Sequence, residues 1–132
     1  MAAHEELKRR IAEAIARFES DQMSVRPESI SVDIHPRSLV VSFQGATCPA
    51  ERHYATDRRA GELLRRFYDE VFGAAKPILE SAIQGILGVK IERSKLIVIP
   101  ETGDGVILFT FLQEPSRGEE TNATGDFKTT VK

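Results

Sequence analysis

What this chain lacks narrows its function before any motif is read. It has one cysteine, Cys48, in 132 residues. A lone thiol forms no intrachain disulfide, and no zinc ligand set surrounds it, which fits a reducing compartment. Charge of one sign is not in excess: 18 Lys and Arg against 20 Asp and Glu give a formal net charge of −2. No global field draws nucleic acid or an anionic membrane, so either partner would need a local basic patch. Met1–Arg10 is charged and has no apolar signal-peptide core. The apolar runs, Leu96–Ile99 among them, stop at strand length, far short of the roughly 18 residues that cross a bilayer. These absences predict a cytoplasmic protein with no membrane insertion, no cofactor and no metal.

What is present suffices for a core. The chain has the length of one domain, and its 41% apolar content supports burial without disulfides. Leu7, Ile11, Ala14, Ile15 and Phe18 share one stripe and predict a helix over about 4–20. Glu13 and Arg17 make an i,i+4 pair on its other face, and His4 falls at a fraying terminus. Ile30, Val32 and Ile34 alternate with polar residues, as do Leu39, Val41 and Phe43 with Val40 and Ser42. The turn His35–Ser38, with Pro36 set for its second position, joins them as an antiparallel hairpin.

Cys48–Glu51 reads as a helix start with Pro49 at the first helical position. The helical pattern then runs over about 49–87. Pro77 removes a backbone donor and crowds the Gly73 carbonyl, which predicts a kink or break near 73–77. Gly88 is placed to end the helix. Two strands follow, over about 89–99 and 106–112, joined by a turn at 100–105. Val106–Leu112 is apolar on both sides, which predicts a central strand covered on both faces. The composition turns polar after Gln113, so we expect one α+β domain over 1–113 and a disordered tail over 114–132. The predicted fold is a four-stranded antiparallel or mixed sheet with helices on one face, in the order α-β-β-α-β-β, the long helix kinked or split.

Candidate sites are few. Cys48 and His53 are five residues apart at a helix start, off the three- or four-residue spacing of helical neighbours, and no third group orients the base. We therefore expect no enzyme. Gly85–Gly88 matches the GXXG pattern of KH domains, but Ile86 and Leu87 replace the basic pair and a strand follows, so it reads as a helix end. Thr102–Gly105 lacks the alternating carboxylates of a calcium loop and reads as a hairpin turn. Arg52, Arg59 and Arg66 recur every seven residues on one helical face, with Arg58 and Arg65 nearby. That face is either solvated and paired with Glu62 and Asp69, or an anion or nucleic-acid contact. No aromatic stacking platform accompanies it, which disfavours nucleic acid. Leu63, Leu64, Phe67, Tyr68, Val71 and Phe72 give a wider apolar face than the sheet needs. They mark a candidate interface with an unknown protein partner, a homodimer being the simplest case. The alternative is that the first helix and the tail cover this face.

Several segments together carry a family resemblance: Leu7–Phe18, Leu39–Gly45, Pro49–Glu51, Leu79–Lys90, and Thr102-Gly103 with Val106–Thr110. Over roughly residues 5–112 the chain resembles the MpsC-type domain, named for a Na+-translocating, membrane-potential-generating system. Two places depart from the family pattern. Cys48 stands where a capping threonine is expected, and Ser94–Ile97 stands where polar His and Asp are expected. The resemblance supplies no established catalytic residues to carry over, and it implies a small soluble accessory or regulatory protein, in some lineages linked to ion or bicarbonate transport.

Overall fold

The structure, a computed structural model, describes residues 2–112, with side chains from His4 onward. In chain order the elements are α1 (Ala2–Gln22), β1 (Ser29–Ile34), β2 (Ser38–Gln44), α2 (Pro49–Tyr54), α3 (Arg58–Leu87), β3 (Ile91–Ile99) and β4 (Asp104–Phe111). The strands form one sheet in the order β1-β2-β4-β3, and every neighbouring pair is antiparallel. The expected α+β class is therefore correct. The tail predicted over 114–132 lies outside the described residues.

Strand alternation decides which face the helices take. Val32, Val41, Ile107 and Leu96 lie side by side across all four strands and are all buried. Ile34, Leu39, Phe109 and Ser94 form the next buried row. Onto these rows pack Ile11, Ile15 and Phe18 of α1 and Tyr68, Phe72, Leu79, Ile83 and Leu87 of α3. Helix α1 lies along β1, α3 lies along β3, and the helices touch each other. Phe18 and Phe72 meet edge to face with ring centroids 6.0 Å apart, a favoured aromatic geometry. Each half of the chain is thus a helix followed by a hairpin, and the halves join where β2 pairs with β4.

Three expectations are corrected. The long helical segment breaks at Ala55–Asp57, not at 73–77. Asp57 caps α3 by accepting a 3.0 Å hydrogen bond from the Ala60 N–H, and α3 runs through Pro77 without interruption. Pro77 and Gly73 are both exposed, so the interruption lies on the solvent side of α3, where water can replace the missing donor. Second, β4 is an interior strand, but among the described residues helices cover only one of its faces; Leu108 on the other side is 38% exposed. Third, Glu13 pairs with Arg9, at 2.6 Å, rather than with Arg17. His4, placed at a fraying end by the sequence, is buried within α1. Gly88 does end α3: it takes φ +69° and donates to the Gln84 carbonyl at 2.8 Å.

Candidate functional site

The apolar stripe on α3 divides between core and solvent. Tyr68 and Phe72 are 8% and 3% exposed and belong to the core, so they are not available to a partner. Leu64 is partly buried against that core and Val71 is half-buried. Only Leu63 and Phe67, at 46% and 57%, stand well out. The physical reason is that α1 covers α3 from the side, so a stripe that looked surplus against the sheet alone is partly used between helices.

The arginine stripe is broken. Arg52 sits on α2, before the Ala55–Asp57 break, and its guanidinium donates to the Thr47 carbonyl and, at 3.4 Å, to Thr47 Oγ1. It closes the loop that leads into α2. Arg59 and Arg66 are exposed on α3, and the ion pairs expected with Glu62 and Asp69 do not form. Among the described residues the ion pairs are those of Arg9 with Glu6 and Glu13. Three arginines therefore do not share one continuous helical face.

Cys48 is exposed at the start of α2, where its N–H donates to Glu51 Oε1 at 3.2 Å. His53 is exposed, and the two side chains make no hydrogen bond with each other. Among the described residues no group of three or more His, Cys, Asp or Glu side chains could hold a metal ion. Gly85 lies inside α3 and Gly88 ends it, so the GXXG segment is the last helical turn and not a loop between helices.

Two features remain that sequence reading passed over. The first is the face of the sheet that no helix covers among the described residues. Its middle carries Val40, Leu108, Val106 and Ile97 on the adjacent strands β2, β4 and β3. One cross-strand row there reads Asp33, Val40, Leu108, Lys95, with an acid on one outer strand and a base on the other. Ile97 and Ile99 are 54% and 50% exposed.

The second is a cavity of about 320 Å³ at the end of the sheet where β2 and β3 finish. That volume is at the lower end of small-ligand pockets. Its apolar walls include Met23, Val25, Phe43, Val71, Leu96 and Val98, and Phe67 stands at its exposed side. Three elements place polar groups around it: Glu19 at the end of α1, Glu51 on α2 and Tyr68 on α3. The Tyr68 hydroxyl donates to Glu51 Oε1 at 3.1 Å. Burial, and then the neighbouring Glu51 carboxylate, push the Tyr68 phenol up, so it stays a protonated donor. Glu19 is only 3% exposed, and its Oε2 has no hydrogen-bond partner among the described residues. Burial pushes its carboxyl up to about 7.

The wall beside Glu19 is built by the way α1 ends. The Glu19 carbonyl accepts from Met23 N at 3.1 Å and Val25 N at 3.0 Å, and Ser24 takes φ +61° to make this turn. On the other side, Ala46 N donates to the Gly103 carbonyl at 2.9 Å. Gly103, at φ +80°, approaches Thr47 so closely that a Cβ would lie 2.8 Å from Thr47 Oγ1. That contact ties the β3–β4 turn to the loop lining the cavity. Sequence held one signal for Glu19: it lies four residues after Ile15, on the apolar stripe, where a carboxyl group is out of place.

Residues 3–113 match the protein family described as MpsC: Na+-translocating membrane potential-generating system (MpsC). The chain belongs to the MpsC family. The match spans α1 to β4, so the open sheet face and the cavity both lie on the MpsC unit. No curated protein and no solved structure matches this chain. No helix among the described residues of this MpsC protein is long and apolar enough to cross a membrane.

Proposed function

We propose that this MpsC protein is a non-enzymatic accessory protein that acts as a homodimer paired through the open face of its sheet. The observation that supports it is the cross-strand row Asp33–Val40–Leu108–Lys95, flanked by Val106 and Ile97. A sheet face with an apolar centre is stabilised by burial against another layer. Consider two copies stacked face to face about a two-fold axis parallel to the strands. β1 of one copy then lies over β3 of the other, so Asp33 faces Lys95 twice, and Val40 faces Leu108 twice. The surface is self-complementary in shape of pattern and in charge, as a two-fold interface requires. The family description supports an association with an ion-translocating system; on our reading this chain binds and regulates there rather than catalyses.

Light scattering of the intact chain tests the pairing. The dimer mass is expected, and Leu108→Lys, which buries a charge in the centre of the interface, is expected to give a folded monomer. Phe67→Ser on α3 is expected to leave the dimer intact. A parent protein that stays monomeric at high concentration sinks the proposal, and so does a Leu108→Lys variant that still dimerises.

A further inference from the structure

We propose that the cavity between α1, α2 and the end of the sheet binds an organic cation with an apolar body, of the alkylammonium class, whose ammonium group pairs with Glu19. The inference is independent of the dimer, which uses the opposite face of the sheet.

Four observations carry it. The cavity is walled mainly by aliphatic and aromatic side chains, as small-molecule sites are. Its lining holds two carboxyl groups, Glu19 and Glu51, and no Lys or Arg. Glu51 Oε1 already accepts from Tyr68 Oη at 3.1 Å and Cys48 N at 3.2 Å. Glu19 Oε2, by contrast, is buried with no donor among the described residues. A carboxyl group left without a partner in an apolar wall is destabilising, and a leucine there would continue the α1 stripe at lower cost. For the ionised carboxylate, which only accepts, the missing partner is a donor, and a cationic donor makes the strongest such bond. The apolar walls select a ligand with a hydrocarbon body, whose burial adds affinity that bare ammonium lacks. Leu112, where the described chain ends, lies at the other end of the sheet from Phe43 and Val98 in the cavity wall.

Glu19 holds its proton until about pH 7, so an ammonium ligand displaces that proton on binding. The other titratable groups on the cavity wall are Glu51 and Tyr68; β2 and β3 contribute only Phe43, Leu96 and Val98, and the turn after α1 contributes Met23, Ser24 and Val25. Hexylamine stays protonated through this range, so its binding tightens about tenfold between pH 6 and pH 8 as the carboxylate becomes available.

The experiment titrates the full chain with hexylamine, 1-hexanol, hexanoate and ammonium chloride, followed by the methyl NMR signals of Val71, Leu96 and Val98. Hexylamine is expected to bind more tightly than hexanol and ammonium, with hexanoate weakest. Glu19→Gln keeps the shape of the side chain and is expected to weaken hexylamine about tenfold or more while leaving hexanol unchanged. It is also expected to erase the pH dependence. Val71→Trp, which fills the half-buried wall and leaves Glu19 in place, is expected to abolish binding of both. The proposal is overturned if no probe shifts these signals, if hexanol or hexanoate binds as tightly as the amine, or if Glu19→Gln binds hexylamine like the parent.

Discussion

The two long helices each set a glutamate against the sheet, and the two glutamates are treated differently. On α3, Glu80 accepts a hydrogen bond from the Ser94 hydroxyl of β3, and nearby Gln84 accepts from the Ile91 N–H at 2.9 Å. Helix, hairpin and polar side chains close on one another there. On α1, Glu19 has no such neighbour for its Oε2 among the described residues, and a cavity lies beside it. Both halves are a helix followed by a hairpin on the same sheet, so the contrast comes from side chains and not from architecture. The closed end is held by its own partners, and the open end has room for one from outside.

The halves meet at Phe18 and Phe72, and separating them there is the largest effect expected. Phe72→Ala removes a buried ring that touches both helices and should cost about 3–5 kcal/mol, read from chemical denaturation. A pH titration of stability probes the open end through Glu19 next. Glu19 holds its proton up to about pH 7 in the folded state against 4.5 for the free group. The folded state therefore binds the extra proton between those values. Its contribution is fully present below pH 4.5 and is lost as pH rises through 7, a fall of about 3 kcal/mol. Glu19→Gln should flatten that profile; a parent profile that is already flat would refute the buried carboxyl. Ser94→Ala probes the closed end by leaving Glu80 without its donor, and a loss of about 1–2 kcal/mol is expected at neutral pH. The smallest effect belongs to Ser24, which adopts a left-handed conformation at the end of α1. Ser24→Gly should raise stability by about 0.5–1 kcal/mol, seen as a higher melting temperature, by relieving that conformation beside the cavity.

Much of the fold was legible because it rests on short-range pattern. The alternation of Ile30–Ile34 and Leu39–Phe43, and Gly88 after an amphipathic run, are decided by neighbours within a few residues. The helix break was misplaced because two local signals competed. Pro77 is a strong breaker in isolation, yet on the solvent side of α3 it is tolerated, whereas the cap at Asp57 decides the boundary. The α3 stripe was misjudged for a longer-range reason: whether Tyr68 and Phe72 are surplus depends on where α1 lies. Glu19 carried a visible anomaly on its stripe, but no pattern in α1 reveals that Glu51 and Tyr68, more than thirty residues further on, come to line the same cavity. The row Asp33–Val40–Leu108–Lys95 is likewise a product of register across four strands, which hydropathy alone does not fix.

The seam between β2 and β4 has a consequence for how copies of this chain can trade parts. Each half offers one free strand edge and one helix flank to the other, and only the stretch around α2 links them covalently. A second molecule presents the same edge and flank, so a half can dock on a foreign partner with every native contact kept. Shortening the Ala55–Asp57 joint so that α2 and α3 fuse would hold the halves apart and favour exchanged pairs. Cutting the backbone at that joint should instead give two fragments that are weakly folded alone and reassemble when mixed.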